Sequence, residues 1–365
     1  MKDIDTNEGL VEFLRKEEHL RTSEILEAFR AVDRADFASP TLRTVAYRNH
    51  PVQEDNIHLS APFIYAEALE ELRPKPGMSF LNIGSGTCYL SYLVSMLIGE
   101  LGVNHGVELS PMLLEHSARC IATTDQKLGR KTDIQVLQGN GMNISAETGY
   151  DCIYVGAGCI AAMTMDYLKG LLNVGGVMVA PFDDELLRVE ASGNGTFKTQ
   201  TLCHVCFSPI VMPRAKHDGT GAHPPIRFVV RPWSPACHSV YPESFRKAVL
   251  AVLLANARQD SLSSIIPSSL WMEVMSFARR DWFSERVVAE SKAHASGASQ
   301  GLPGKGAAIS QGCLGAAKSM ALIPVKASSA AASQSNVERT QPRPRRRETG
   351  AAIAAHPVFP AFWNF

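Results

Sequence analysis

Apolar residues at Leu10, Val11 and Leu14, and again at Ile25, Leu26 and Phe29, recur at helical spacing and predict helix over residues 8–31. Thr22, Ser23 and Glu24 supply a start signal for a second helix within that stretch. From about residue 78 to 211 the period changes, and short β-type runs alternate with helical stretches. The runs fall at 78–83, 103–108, 134–138, 151–155, 176–181 and 201–210, with helical stretches at 90–98, 112–122 and 161–172. This alternation predicts an α/β fold, a mostly parallel sheet with helices on both faces. A Gly-Asn-Gly turn inside "ELLRVEASGNGTFKTQTLCHVCFSPIV" predicts that the sheet ends in a hairpin.

The pattern loses its period after Pro213. Residues 1–212 read as one domain, and 213–231, rich in Pro, Gly and His, read as a linker. A short apolar helical region follows at 232–285, interrupted by "SLSSIIPSSL". Beyond 286 Ala, Ser and Gly dominate, and "RPRRR" (Arg343 to Arg347) follows; such a tail cannot bury enough apolar surface to fold, and its basic cluster reads as a solvated run.

Bulk properties narrow the classes. Of 365 residues, 45% are hydrophobic and 20% charged, which allows a sizeable core. Lys+Arg and Asp+Glu balance at 36 each, which argues against nucleic acid as the main partner. The polar start "MKDIDTNEGLVEFLRK" has no signal-peptide core, and Lys2 stands where myristoylation needs Gly. The longest apolar run, 248–255, is too short to span a bilayer. The 8 cysteines lack a framework of regular spacings and read as reduced thiols, so the expectation is a soluble cytoplasmic protein.

"LNIGSGTCYL" carries the first chemical signal. An apolar strand runs into Gly84 and Gly86 and then a helix, the place in an open α/β sheet where a nucleotide-like ligand binds. Position 89 is Tyr, so the dinucleotide fingerprint Gly-x-Gly-x-x-Gly fails. Glu108 ends the next expected strand, where a carboxylate can accept both ribose hydroxyls of an adenosyl group. "VLQGNGM" ends a third with Gly139 and Asn140, an amide suited to an adenine edge. Three consecutive strand ends therefore supply glycine, acid and amide. Cys203 and Cys206 have no second pair at zinc spacing, and no metal site is expected.

The segments "HLSAPFIYAEALEEL", "LNIGSGTCYL", "QGNGMNISAETGYDCIYVGAG" and "LLNVGGVMVAP" together resemble the protein-L-isoaspartate O-methyltransferase family, over roughly residues 20–212. The resemblance implies a class I S-adenosylmethionine-dependent methyltransferase fold, Rossmann-like, with a mostly parallel seven-stranded sheet and a terminal hairpin. It also implies S-adenosyl-L-methionine as cofactor and isoaspartate-containing proteins or peptides as acceptors. Three motifs would bind the cofactor. The first comprises Leu81, Asn82, Ile83, Gly84, Ser85, Gly86, Thr87, Cys88, Tyr89 and Leu90; the second Tyr150, Asp151, Cys152, Ile153 and Tyr154; the third includes Gly175 and Gly176. Cys88 stands where the family has a third glycine and would narrow the space beside the methionine end of the cofactor.

Ser60 matches the family's active-site serine. The acceptor carboxylate is ionised near neutral pH, so the reaction needs alignment rather than a strong base. Ser60 would orient one oxygen while the other attacks; it would also serve as a cap for a helix starting at Pro62. On the substrate side, Phe63 and Tyr65 after Pro62 replace the family's histidines, and Asn140 replaces an aspartate. A kept cofactor pocket with a rebuilt substrate side leaves open binding without efficient transfer.

"NIHLSAP", "NHGVEL" and "LRTSEILEAFRAVDRADF" resemble a subgroup of that family with a C-terminal suppressor-of-cytokine-signalling-type box. That resemblance implies elongin B/C and a cullin as partners. Trp233, Cys237 and Tyr241 would contact elongin, and Ile266, Pro267 and Leu270 the cullin. The competing expectation is a helical cap packed on the sheet. Two functions follow. One is a substrate receptor of an elongin–cullin–RING ubiquitin ligase directed at isoaspartate-damaged proteins; the other is an active carboxyl methyltransferase that repairs them.

Overall fold

The computed structural model describes residues 4–145, 149–192, 195–213, 225–228, 233–258 and 265–278. Two helices open the chain, α1 (Asn7–Lys16) and α2 (Ser23–Ala31). The Thr6 hydroxyl caps α1 by accepting the Gly9 N–H, while Leu10, Val11 and Leu14 face the core. Thr22 occupies the N-cap of α2 without a capping bond. Its hydroxyl donates instead to the buried carboxylate of Glu70, which also accepts the N–H groups of Arg21 and Thr22 at 2.7 and 2.8 Å. An acid from another helix therefore closes this N-terminus, where the helix dipole favours negative charge.

A hairpin of β1 (Val52–Glu54) and β2 (Ile57–Leu59) follows, then α3 (Pro62–Leu72). The doubly wound part runs β3 (Ser79–Ile83), α4 (Tyr89–Ile98), β4 (Val103–Glu108), α5 (Pro111–Leu128), β5 (Ile134–Gln138), β6 (Tyr150–Val155), α6 (Ala162–Lys169) and β7 (Leu172–Phe182). The antiparallel strands β8 (Glu185–Ser192) and β9 (Thr196–His204) complete a seven-stranded sheet ordered β5-β4-β3-β6-β7-β8-β9. The strands from β5 to β7 are parallel. The fold is that of the class I methyltransferases, as expected. Connections move outward from β3 to β5 and then return to β6 on the other side of β3. A crevice opens at that reversal, and it holds the site.

Both sheet faces are covered. Phe80, Tyr154 and Val179 pack toward α1–α4 together with Phe29, Phe37 and Tyr92. Leu81, Ile83, Ile153 and Met178 pack on the opposite face with Met165 and Leu168 of α6. Part of the second face is covered by the short segment 225–228. Ile226 donates to Asn143 O at 2.7 Å and accepts from Ser145 N at 2.8 Å, and Phe228 stacks on His105 with centroids 4.1 Å apart.

The expected strand at 201–210 begins instead at Thr196 and ends at His204, with β8 before it. The expected helix at 112–122 extends to Leu128 through a polar last turn. The expected linker lies mostly outside the described residues, and the tail 286–365 lies wholly outside them. In the C-terminal region, α7 (Glu243–Ala257) packs on α8 (Ser268–Ser276), joined by Asn256 Nδ2 to Ser268 Oγ at 2.9 Å. Among the described residues no helix is long and apolar enough to cross a membrane.

Candidate functional site

A cavity of about 220 Å³ lies at the reversal of strand order, with Ser60, Tyr65, Gly84, Gly86, Glu108 and Tyr154 in its wall. The glycine loop after β3 forms its floor. Gly84 and Gly86 have φ of 71° and 54°, left-handed conformations that a side chain disfavours. The N–H groups of Gly84 and Ser85 both donate to Val107 O, at 2.9 and 3.0 Å, which ties the loop to β4.

Glu108, buried at the end of β4, completes that tie. One carboxylate oxygen accepts Gly86 N–H at 2.9 Å and the other accepts Ser110 N–H at 3.0 Å. Each oxygen keeps a lone pair for a further donor, so the carboxylate is oriented without being saturated. The cavity wall also carries buried polar atoms that find no hydrogen-bond partner among the described residues: Asn82 Oδ1, Ser85 Oγ and the Tyr89 hydroxyl. Tyr154 lies beside Ser60, its hydroxyl closing no hydrogen bond of good geometry. Burial pushes the phenols of Tyr89 and Tyr154 far up, leaving both as neutral donors. Buried polar groups in folded proteins are normally satisfied. Such a concentration around one cavity fits a polar ligand.

Ser60 is held from both sides. Its carbonyl accepts Arg34 Nη2 at 2.8 Å, and its N–H donates to the Tyr65 hydroxyl at 3.0 Å. Ala61, not Ser60, occupies the N-cap of α3, with Pro62 in the first turn and no side-chain capping bond. The expected capping role of Ser60 is therefore absent, and Ser60 is part of the cavity wall.

The other expected site residues divide sharply. Thr87, Tyr89 and Leu90 line the cavity, whereas Leu81 and Ile83 belong to the core of the second sheet face. Cys88 holds φ 64° and is buried near Ser85, Ser91 and Ser117 rather than in the ligand space, and burial pushes its thiol up to about 11. Of the second motif only Tyr154 reaches the cavity. Tyr150 bonds His105 at 2.9 Å, Asp151 accepts Ser79 N and Oγ, and Cys152 and Ile153 are core. Gly175 and Gly176 lie toward the far end of the sheet; a Cβ on Gly176 would stand 2.7 Å from Tyr150 O, so its role is close strand packing. The Asn140 amide is already committed, donating to Val211 O at 2.7 Å and accepting from Met142 N at 2.9 Å. Gly139 is covered by Ile226, whose Cδ1 would lie 2.5 Å from an added Cβ. On the substrate side Tyr65 lines the cavity, while Pro62 is buried and Phe63 packs against His19 at 5.4 Å.

Sequence reasoning missed Asn56 and His58, which line the same cavity as Ser60. The signal was the alternation Asn-Ile-His-Leu-Ser, which sends every second side chain to one side of an extended segment. Burial, and secondarily the charge of Arg34, lowers the pKa of His58.

In the C-terminal region Trp233, Cys237 and Tyr241 are only 3%, 4% and 6% exposed, and the rings of Trp233 and Tyr241 pack against Phe245. Pro235 falls in the first turn of a 3-10 helix, where it is tolerated. Ile266 and Leu270 lie on the surface, as does Pro267 ahead of α8. Among the described residues no group of three or more His, Cys, Asp or Glu side chains is placed to hold a metal ion.

An Arabidopsis thaliana protein-L-isoaspartate O-methyltransferase 1 is 31% identical over 224 residues, covering 59% of this chain and 96% of that protein. A protein-L-isoaspartate O-methyltransferase of Pyrobaculum arsenaticum is 30% identical over 207 residues, covering 55% of this chain and 98% of its own length. A Plasmodium falciparum structure of the same description, in complex with S-adenosyl-L-homocysteine, superposes with a TM-score of 0.50 at 23% identity. It covers 56% of this chain and 98% of that one and supports the fold. The profile of the protein-L-isoaspartate(D-aspartate) O-methyltransferase family matches residues 5–215, more than half of the chain, and the chain belongs to that family.

Proposed function

We propose that the chain transfers the methyl group of S-adenosylmethionine to the carboxylate of isoaspartyl residues in proteins. The observation that carries this reading is that Ser60 and Glu108 face one cavity, across a glycine loop. Glu108 would accept the ribose hydroxyls on its free lone pairs, and the orphaned polar atoms of Asn82, Ser85 and Tyr89 would find partners on the cofactor. The acceptor carboxylate would enter beside Ser60 and Tyr154. Its oxygen forms the new bond to the methyl carbon as the carbon–sulfur bond breaks and its electron pair returns to sulfur. No proton moves, so a hydroxyl that orients the carboxylate is sufficient. The described cysteines are all free, which suits a reducing compartment and supports a cytoplasmic setting. The test is single-turnover transfer of labelled methyl to an isoaspartyl peptide, with cofactor binding recorded in the same sample. Transfer supports the repair reaction; binding without transfer would make the domain a recognition module.

A second reading adds a partner. Leu250, Leu254, Leu270 and Phe277 of the C-terminal helices are 52%, 68%, 48% and 76% exposed, more apolar surface than isolated residues account for. This favours docking of another protein, and elongin B/C with a cullin is the partner that the subgroup resemblance suggests. The inward placement of Trp233, Cys237 and Tyr241 means that elongin contact would need those side chains to turn out, or would use the exposed row instead. Co-purification of the full chain with elongin B/C, compared with a variant carrying Asp at Leu254 and Phe277, tests it.

A further inference from the structure

Arg34 is fully buried, and its guanidinium meets no carboxylate among the described residues. Nε donates to Ala46 O at 2.7 Å and Nη2 to Ser60 O at 2.8 Å, while buried Nη1 has no partner. The ring centroids of Tyr65 and Tyr89 stand 5.8 and 5.6 Å from its central carbon. Ser60, Tyr65 and Tyr89 all belong to the cavity wall, so the cation lies directly behind that wall. Its charge is felt inside, since it helps to hold His58 neutral. An isolated buried charge is costly, and two carbonyls with two aromatic faces offset that cost only in part. Tyr89, whose buried hydroxyl is unsatisfied, belongs to the wall of the same cavity.

We propose that Arg34, with Tyr89 and Ser60 in front of it, forms a carboxylate subsite in this cavity, the bound carboxylate being the missing counter-charge. This rests on the reading of the cavity as a methyl-transfer site and deepens it. Two ligands bring a carboxylate there: the amino-acid end of the cofactor and the isoaspartyl acceptor. If the acceptor is the occupant, the subsite discriminates substrate from product, because methylation removes the charge that Arg34 attracts. Arg34 then acts as a positioning residue, through the Ser60 turn and its field.

The experiment uses the full chain, Arg34→Met and Arg34→Lys, with binding measured by titration calorimetry. One ligand pair is S-adenosylhomocysteine and its decarboxylated analogue, which keeps the amine. The other is an isoaspartyl peptide and the same peptide with the carboxylate replaced by carboxamide. A carboxylate preference of about tenfold or more in one pair, lost in Arg34→Met and partly recovered in Arg34→Lys, supports the subsite and names its occupant. Equal preference in the parent chain and Arg34→Met, in both pairs, overturns it. Should Arg34→Met fail to fold, the parent chain still decides: no carboxylate preference in either pair overturns the subsite. Failure of the parent chain to bind either nucleoside would bring down the proposed function as well, and so is distinguishable from failure of the subsite alone.

Discussion

Glu108 accepts the backbone N–H of Gly86 at 2.9 Å, so the glycine loop and the acid of the neighbouring strand form one unit. Glu108→Ala would release Gly86 and Ser110 together and remove the acceptor for the ribose hydroxyls. Cofactor affinity is expected to fall about 10- to 100-fold, the worth of charge-assisted hydrogen bonds to one carboxylate. Calorimetric titration with S-adenosylhomocysteine checks this, and unchanged affinity would remove Glu108 from the site.

Ser60→Ala separates chemistry from folding. The Ser60 hydroxyl caps no helix and the backbone ties to Arg34 and Tyr65 survive the change. Stability should move by less than about 0.5 kcal/mol, while methyl transfer slows about 10- to 100-fold at constant cofactor affinity. Denaturant titration and single-turnover transfer on the same preparation read both quantities.

Glu70 offers a purely structural test. It is buried and accepts three hydrogen bonds from Arg21 and Thr22. Glu70→Ala leaves those donors at the start of α2 without their acceptor and should cost about 2–3 kcal/mol. A fall in the unfolding midpoint is expected, with S-adenosylhomocysteine binding retained at low temperature.

His105 makes stability depend on pH. Burial lowers its pKa from 6.5 to about 4, against the Tyr150 hydroxyl at 2.9 Å and the Phe228 ring. Between those two values the unfolded chain binds the proton and the folded chain does not. The stabilisation is complete above pH 6.5, is lost as pH falls toward 4, and amounts to roughly 3 kcal/mol. His105→Gln should flatten the unfolding free energy over that interval. A slope unchanged by the substitution would assign the effect to other groups.

How far the sequence reveals this architecture depends on burial. Strands β3, β4 and β6 were legible because they are buried on both faces almost throughout, and apolar residues such as Phe80, Leu81, Val107, Ile153 and Val155 mark them between helical stretches. Strand β9 was misplaced because Thr196 to Thr201 are exposed on both faces and offer no apolar side to read. Gly84, Gly86, Glu108 and Ser60 were legible because turns and strand ends need particular residue types. Arg34 was not, since its link to Ser60 spans 26 positions and arises only from folding. Asn140 failed for the same reason in reverse: a carbonyl 71 positions away, Val211, takes up its amide first.

The small segment at 225–228 has a practical bearing on where this protein can be divided. The family profile ends at residue 215, yet Phe228 shields the His105 ring and Ile226 fills the space over Gly139. A chain cut after residue 215 would hydrate a buried imidazole and bare the flank of β5. The shortest autonomous piece therefore extends at least through Phe228, and residues 225–228, beyond the profile, have become part of the domain's own interior.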